Sequence, residues 1–193
     1  MNKQELLNIF EETGALQHGH FILSSGKRSG TYCQCSKLFI DPKISNIIGN
    51  ALAKKVKSQI NNKIEYVIAP ALGGILVGYE VARCLNSKSI FFERVNEEFE
   101  LRRGFEIEQN KNVLLIEDVI TTGKSSKECL EKLHKMNINI LGIACIVDRS
   151  QGSIFDNHEI SSLLKLDIPT YDPDNLPEDL TIIDPVKPGS RKN

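Results

Sequence analysis

The sequence has 193 residues, 40% of them hydrophobic and 25% charged, with a formal net charge of −1 at pH 7; such a chain suits one domain with a sizeable core and is short for two. A near-neutral surface projects no broad positive field, so neither nucleic acid nor an anionic membrane is an expected partner, and any anion must be held locally. The opening stretch MNKQELLNIFEETGAL is too acidic and broken for a signal peptide, and no apolar run reaches the roughly 18 residues of a spanning helix, so a cytoplasmic protein is expected.

Leu6, Leu7, Ile9 and Phe10 in a Glu-rich setting predict a first amphipathic helix, closed near Gly14. HFILSS and TYCQCSKLFI follow as two extended segments joined by a polar turn at 26–30. From Pro42 onward, Ile44, Ile47, Ile48, Leu52 and Val56 recur at helical spacing, with proline near the start, where its missing N–H costs little. An alternation comes next: strand 66–71, helix 73–85, strand 89–94, strand 112–118, helix 125–136 and strand 140–148. These strands are short, continuous and β-branched, as in a mostly parallel central sheet covered by helices on both faces, which makes the fold class α/β. VNEEFELRR at 95–103 is a hairpin or a mobile loop, and the chain from Pro169 reads as irregular. The five cysteines, Cys33, Cys35, Cys84, Cys129 and Cys145, form no CxxC pair and are expected as reduced packing residues. Cys33 and Cys35 would share one strand face, as would His18 and His20, but a metal site lacks further ligands, so no protein-bound metal is expected.

The chemistry concentrates in LLIEDVITTGKSS at 114–126. A triphosphate-binding P-loop, G-x-x-x-x-G-K-S/T, would need glycine at position 118, where this chain has Asp118 beside Glu117. Two carboxylates would repel the phosphates such a loop wraps. The alternative is a site for a single phosphate: Thr121, Thr122, Gly123, Lys124 and Ser125 leave a buried strand and enter a helix whose first N–H groups are unpaired. Carboxylates accept hydrogen bonds from vicinal hydroxyls, so Glu117 and Asp118 fit a ribose whose 5-phosphate sits in the turn beyond them. A plainer reading leaves the acids as caps of a βα turn.

VLLIEDVITTGKS resembles the phosphoribosyl-pyrophosphate (PRPP) signature of the type I phosphoribosyltransferases: apolar strand, acid pair, then a threonine- and glycine-rich turn. The resemblance implies one domain over 1–193, with a core over about 41–168 and a small hood from about 1–40 plus the C-terminal tail. It implies PRPP binding by Glu117, Asp118, Val119, Ile120, Thr121, Thr122, Gly123, Lys124 and Ser125. GHFILSSGKRSGTYCQCSKL, APALGGILVGYEVAR, VDRSQG and VKPGS are similar to the short-loop bacterial branch whose acceptor is orotate. By that likeness Ala71, Leu72, Gly73, Gly74 and Arg94 meet pyrophosphate, Arg149 and Thr121 meet orotate, and Tyr32 stacks nearby. Orotate carries a carboxylate, which a guanidinium can hold with two parallel hydrogen bonds. A surface arginine paired with Asp148 or Asp156 is the alternative for Arg149.

The chain also departs from the longer-loop members. VNEEFELRRGF contains neither Lys nor His, Ser24 stands where a base-contacting Lys is common, and Gly73 stands where those enzymes carry Lys. Arg94, Arg102 and Arg103 are the remaining cations near pyrophosphate, and Asp118 and Arg94 are the expected catalytic residues. The resemblance further implies Mg²⁺ carried mainly through PRPP and water, and a homodimer, with the tail and 95–104 as contact candidates. A purine acceptor and a PRPP-sensing regulator without turnover are the competing readings.

Overall fold

The computed structural model describes residues 1–23, 25–152, 154, 155 and 158–188. A six-stranded sheet runs in the order β5-β4-β3-β6-β7-β8: β3 (Tyr66–Pro70), β4 (Lys88–Val95), β5 (Glu98–Leu101), β6 (Asn112–Ile120), β7 (Asn139–Asp148) and β8 (Ile160–Lys165). Every neighbouring pair is parallel except β4 with β5. β3 is buried at all five positions, which is why its sequence shows no polar alternation.

The pleat sends alternate side chains to two cores. Val67, Ala69, Leu114, Ile116, Ala144 and Ile146 pack with the apolar faces of α2 (Pro42–Gln59) and α3 (Gly74–Leu85). Tyr66, Ile68, Val113, Leu115, Ile143 and Cys145 pack with Cys129, Leu130 and Leu133 of α4 (Lys124–Lys135). Helix starts follow their sequence signals. Asn2 and Glu5 form a capping box on α1 (Lys3–Glu12), and Asp41 accepts from the Lys43 N–H at 2.8 Å ahead of Pro42.

Beside the sheet, β1 (Leu16–Ile22) and β2 (Arg28–Cys33) form an antiparallel hairpin with an irregularity between His18 and Phe21. The tail returns to this hairpin. The Ile22 N–H donates to Val186 O and the Val186 N–H to His20 O, both at 2.8 Å, while Arg28 and Tyr171 exchange backbone hydrogen bonds at 2.8 and 2.9 Å. Ser29 Oγ donates to Pro169 O at 3.0 Å, and His20 Nδ1 lies 2.9 Å from Ile183 O. The tail, irregular by sequence apart from the short α5 (Glu178–Thr181), is thus held by the hairpin it covers.

Two details differ from the sequence expectation, and a third decides between two readings it left open. Residues 35–39 form a 3-10 helix rather than continuing an extended segment, so Cys33 and Cys35 do not share a strand face. The stretch 95–103 resolves as the hairpin β4–β5, turned at Asn96 and Glu97 with φ of 47° and 69°. β8 was not anticipated: its Ser161 and Ser162 are buried, and polar residues hid an edge strand. Among the described residues no three His, Cys, Asp or Glu side chains cluster as metal ligands.

Candidate active site

The carboxyl ends of β3, β6 and β7 converge where a parallel sheet opens toward its helix starts. Because successive strand residues face opposite ways, β6 separates its two acids. Glu117, 8% exposed, turns toward α4, where Ser126 Oγ donates to its Oε1 at 3.3 Å. Burial, then the neighbouring Asp118 charge, push its carboxyl up to about 8 against the Ser126 hydrogen bond. Asp118 turns to the α3 side, and its Oδ1 accepts from the Val119 N–H at 2.8 Å. Burial raises its carboxyl pKa, opposed by backbone N–H donors.

Asp118 lies directly against the turn after β3. A Cβ built on Gly73 would fall 2.5 Å from Asp118 Oδ2, so only glycine lets this backbone approach the carboxylate so closely. Ala71 N–H donates to Phe92 O at 2.8 Å, the Ala71–Leu72 peptide is cis, and Gly73 precedes α3 with no side-chain cap. Ile75 N–H donates to Leu72 O at 3.2 Å, and with no side-chain cap the other N–H groups at the start of α3 are open to an anion.

Beyond Val119 and Ile120, Thr121 and Thr122 are exposed in a turn that ends at Gly123, the residue before α4. Gly123 has φ +70°, and a Cβ there would meet Ile154 Cδ1 at 2.6 Å. The helix start again lacks a side-chain cap; Lys124 N–H reaches Thr122 Oγ1 at 3.4 Å, and Ser125 is half-buried. Lys124 Nζ lies 4.0 Å from Glu128 on an exposed side chain. The turn thus presents hydroxyls, free N–H groups and a positive helix end together.

Arg149 arrives beside this turn through sheet register. Ile120 pairs with Asp148, and the Arg149 N–H donates to Ile120 O at 2.8 Å, one residue short of Thr121. Its Nε is buried and has no hydrogen-bond partner among the described residues. The pairing with Asp148 considered from sequence does not occur. That carboxylate accepts from the Ser150 N–H and hydroxyl at 2.8 and 2.6 Å and lies 3.8 Å from Lys165 Nζ. Asp156, the other partner considered, and Ser24, Gly189 and Ser190 of the matched stretches lie outside the described residues.

Arg94 is not joined to this group by any described contact. Its guanidinium bonds Glu128 Oε2 at 2.5 Å and Glu97 O, and lies 4.1 Å from the Phe99 ring centroid. Arg103 pairs with Glu93 at 2.7 and 2.9 Å. From the hood, Tyr32 donates to Gln34 Oε1 at 3.0 Å, its ring 5.6 Å from Phe21. Burial, then Cys33 and Asp118, raise its hydroxyl pKa. Sequence reasoning missed Ser126 and Cys35, whose Sγ donates to Asp118 O at 4.0 Å; only the folded register could disclose either.

A parallel sheet that brings an acid pair, two uncapped helix starts and a glycine-held turn to one end defines the phosphoribosyl-transfer class. Residues 35–172 match the family described as "Phosphoribosyl transferase domain". An orotate phosphoribosyltransferase of Aeropyrum pernix shares the fold at a TM-score of 0.72 and 22% identity, covering 83% of this chain and 93% of that one. An adenine phosphoribosyltransferase of Thermoanaerobacter pseudethanolicus shares it at 0.60 and 17%, covering 70% and 88%, so the fold by itself does not choose the base. Sequence identity does discriminate: the orotate phosphoribosyltransferase of a Thermoanaerobacter species is 45% identical over 192 residues, covering 100% of both chains. The chain belongs to the orotate phosphoribosyltransferase family.

Proposed function

We propose that the protein transfers a ribosyl phosphate group from PRPP to orotate, giving orotidine 5'-phosphate and pyrophosphate, in the synthesis of pyrimidine nucleotides. One observation carries the choice of acceptor: the unpartnered Nε of Arg149, tethered at Ile120 beside the acid-and-turn segment. In this reading the 5-phosphate sits on Thr121, Thr122, Gly123, Lys124 and Ser125 at the start of α4, with Val119 and Ile120 lining the approach. Asp118 and Glu117 accept from the ribose hydroxyls, Asp118 from the α3 side and Glu117 from the α4 side. Pyrophosphate lies over Ala71, Leu72, Gly73 and Gly74 at the start of α3, and Arg149 with Thr121 holds the orotate carboxylate and ring edge.

The bond from the anomeric carbon to pyrophosphate breaks as the bond to the orotate ring nitrogen forms, and that nitrogen's proton passes to water or to the departing pyrophosphate. Positive charge develops on the ribose and negative charge on the leaving group. This chain contributes orientation and fixed dipoles: two helix starts aimed at the two phosphate ends, and a carboxylate under the sugar. Arg94 reaches pyrophosphate only after leaving Glu128. The family resemblance implies an ion carried mainly by substrate oxygens and water, with at most one or two carboxylates nearby. Mg²⁺ held in that way would neutralise charge on the departing pyrophosphate.

Leu72, Leu76 and Tyr79 stand 84%, 49% and 60% exposed at helical spacing on and just before α3. That apolar strip supports a homodimer with its seam beside the pyrophosphate turn. No described helix is long and apolar enough to cross a membrane.

Loss of orotate absorbance on adding PRPP and Mg²⁺ tests the reaction. Arg149→Ala should raise the orotate KM by about 10- to 100-fold, the worth of a charge-assisted pair, with little change in the PRPP KM. An unchanged orotate KM removes Arg149 from the base site, and orotate that is never consumed ends the assignment.

A further inference from the structure

Cys33 and Cys35 have no part in the transfer reaction, yet Cys35 Sγ reaches the backbone oxygen of Asp118 at 4.0 Å. An ordinary strand would separate residues two apart by about 6.6 Å along its axis, beyond the Cβ separation of about 3.5–4.5 Å that a disulfide spans. Here the strand ends at Cys33, Gln34 adopts φ −121° and ψ 80°, and the 3-10 helix begins at Cys35. The bend brings the two sulfurs within 3.6 Å. Cys33 is half-buried, Cys35 is 1% exposed, and Cys35 Sγ touches the backbone oxygen of Asp118 at 4.0 Å.

We propose that Cys33 and Cys35 form a redox-modification site, a vicinal dithiol that closes to an intramolecular disulfide with a low-molecular-weight disulfide as oxidant, and that closure disturbs the neighbouring Asp118. The more accessible Cys33 thiolate attacks the oxidant's sulfur, forming a mixed disulfide and releasing one thiolate. Cys35 then gives its proton to that thiolate and attacks the Cys33 sulfur, expelling a second thiolate that takes up from water the proton Cys33 had released. Two protein thiols are oxidised and one small disulfide is reduced to two thiols.

The surroundings suit this order. The Cys35 hydrogen bond, and to a smaller degree Arg149, draw the Cys33 pKa down against burial, whereas Cys35 is held well above the ordinary thiol value by Cys33 and by burial. The attacking sulfur is thus the one solvent reaches, and the resolving sulfur is protonated and poised behind it. Drawing the sulfurs from 3.6 Å to about 2.05 Å shifts the pair by about 1.5 Å in total, and Cys35 Sγ is the atom that touches Asp118 O. Misplacement near 1 Å at a reacting centre costs up to about 100-fold, so a fall in turnover of about tenfold is expected.

The test uses the intact chain incubated with oxidised glutathione. Trypsin cuts after Arg28 and Lys37, which places both cysteines in the single peptide 29–37. Mass spectrometry should find that peptide lighter by two hydrogens, and dithiothreitol should restore both mass and turnover. Cys33→Ser should retain reduced-state activity and resist the oxidant. Peptide 29–37 remaining reduced, or ending as a stable glutathione adduct, overturns the proposal. So does inhibition that persists in Cys33→Ser, or a disulfide that leaves turnover unchanged. The mass readout needs no catalysis, so it stands apart from any failure of the transferase assignment.

Discussion

Asp118 and Glu117 are chain neighbours with different surroundings, and they should respond differently to substitution. Asp118→Asn keeps the shape that fits against Gly73 but removes the charge offered to a ribose hydroxyl. Turnover with PRPP should fall about tenfold or more while the melting temperature holds, since a hydrogen bond to a charged acceptor is worth about 1.5–3 kcal/mol. Steady-state kinetics with PRPP varied would show it, and unchanged kinetics would remove Asp118 from the site. For Glu117 the folded pKa of about 8 lies above the ordinary 4.5, so the folded chain binds this proton more tightly than the unfolded chain. The resulting stability is fully present below 4.5 and is lost as pH rises to about 8. Glu117→Gln removes the buried charge; thermal melts at several pH values should show the variant gaining several degrees on the parent between about pH 5 and 9. A constant gap across that range would mean the carboxyl is not held protonated.

Among the elements, the β4–β5 hairpin is tied to α4 rather than to the acid pair, through Arg94 with Glu128 and Lys132 with Glu98. These side chains are partly exposed, so each pair is worth about 0–1 kcal/mol and can open without cost to the fold. Glu128→Ala should release Arg94, leave the melting temperature within a degree or two, and lower the pyrophosphate KM in the reverse reaction about two- to threefold. A KM that rises would show that the Glu128 pairing positions Arg94 instead of withholding it. Such a latch was not legible in the sequence, because 34 residues separate its partners. What was legible had a local cause: β3, β6 and β7 from unbroken apolar runs, α2 from its period and its Asp-Pro start, the turn at Gly123 from its composition. The 3-10 helix was hidden because CSKLF carries no strand-breaking residue. β8 was hidden because Ser161 finds its partner in Gln59, on a different element. In the same way, Thr121 and Gly123 could be singled out from the order strand, acids, turn, whereas the opposite facing of the acids and the open Nε of Arg149 required the register of β6 on β7.

Across the whole molecule, the tail and the β1–β2 hairpin act as one cap, joined by the Phe21–Val186 and Arg28–Tyr171 bridges and by Lys27 with Asp172 at 3.6 Å. Both cores are built from residues that precede the tail, and Leu180, the tail's one buried apolar side chain among the described residues, belongs to neither. Ending the chain after residue 168 should therefore leave a folded sheet, seen by circular dichroism, with the hairpin amides of 20–29 losing protection from hydrogen exchange and the orotate KM raised about tenfold or more. Protection retained without the tail would mean the hairpin is self-sufficient. The same bridges set an order of events during synthesis. His20 and Ile22 wait for Val186, more than 160 positions later, and at ribosomal speeds of about 5–20 residues per second the cap closes on the order of ten seconds or more after its first strand emerges. Until then the nascent chain carries a finished sheet beneath an uncovered rim, and newly made protein acquires its roof last.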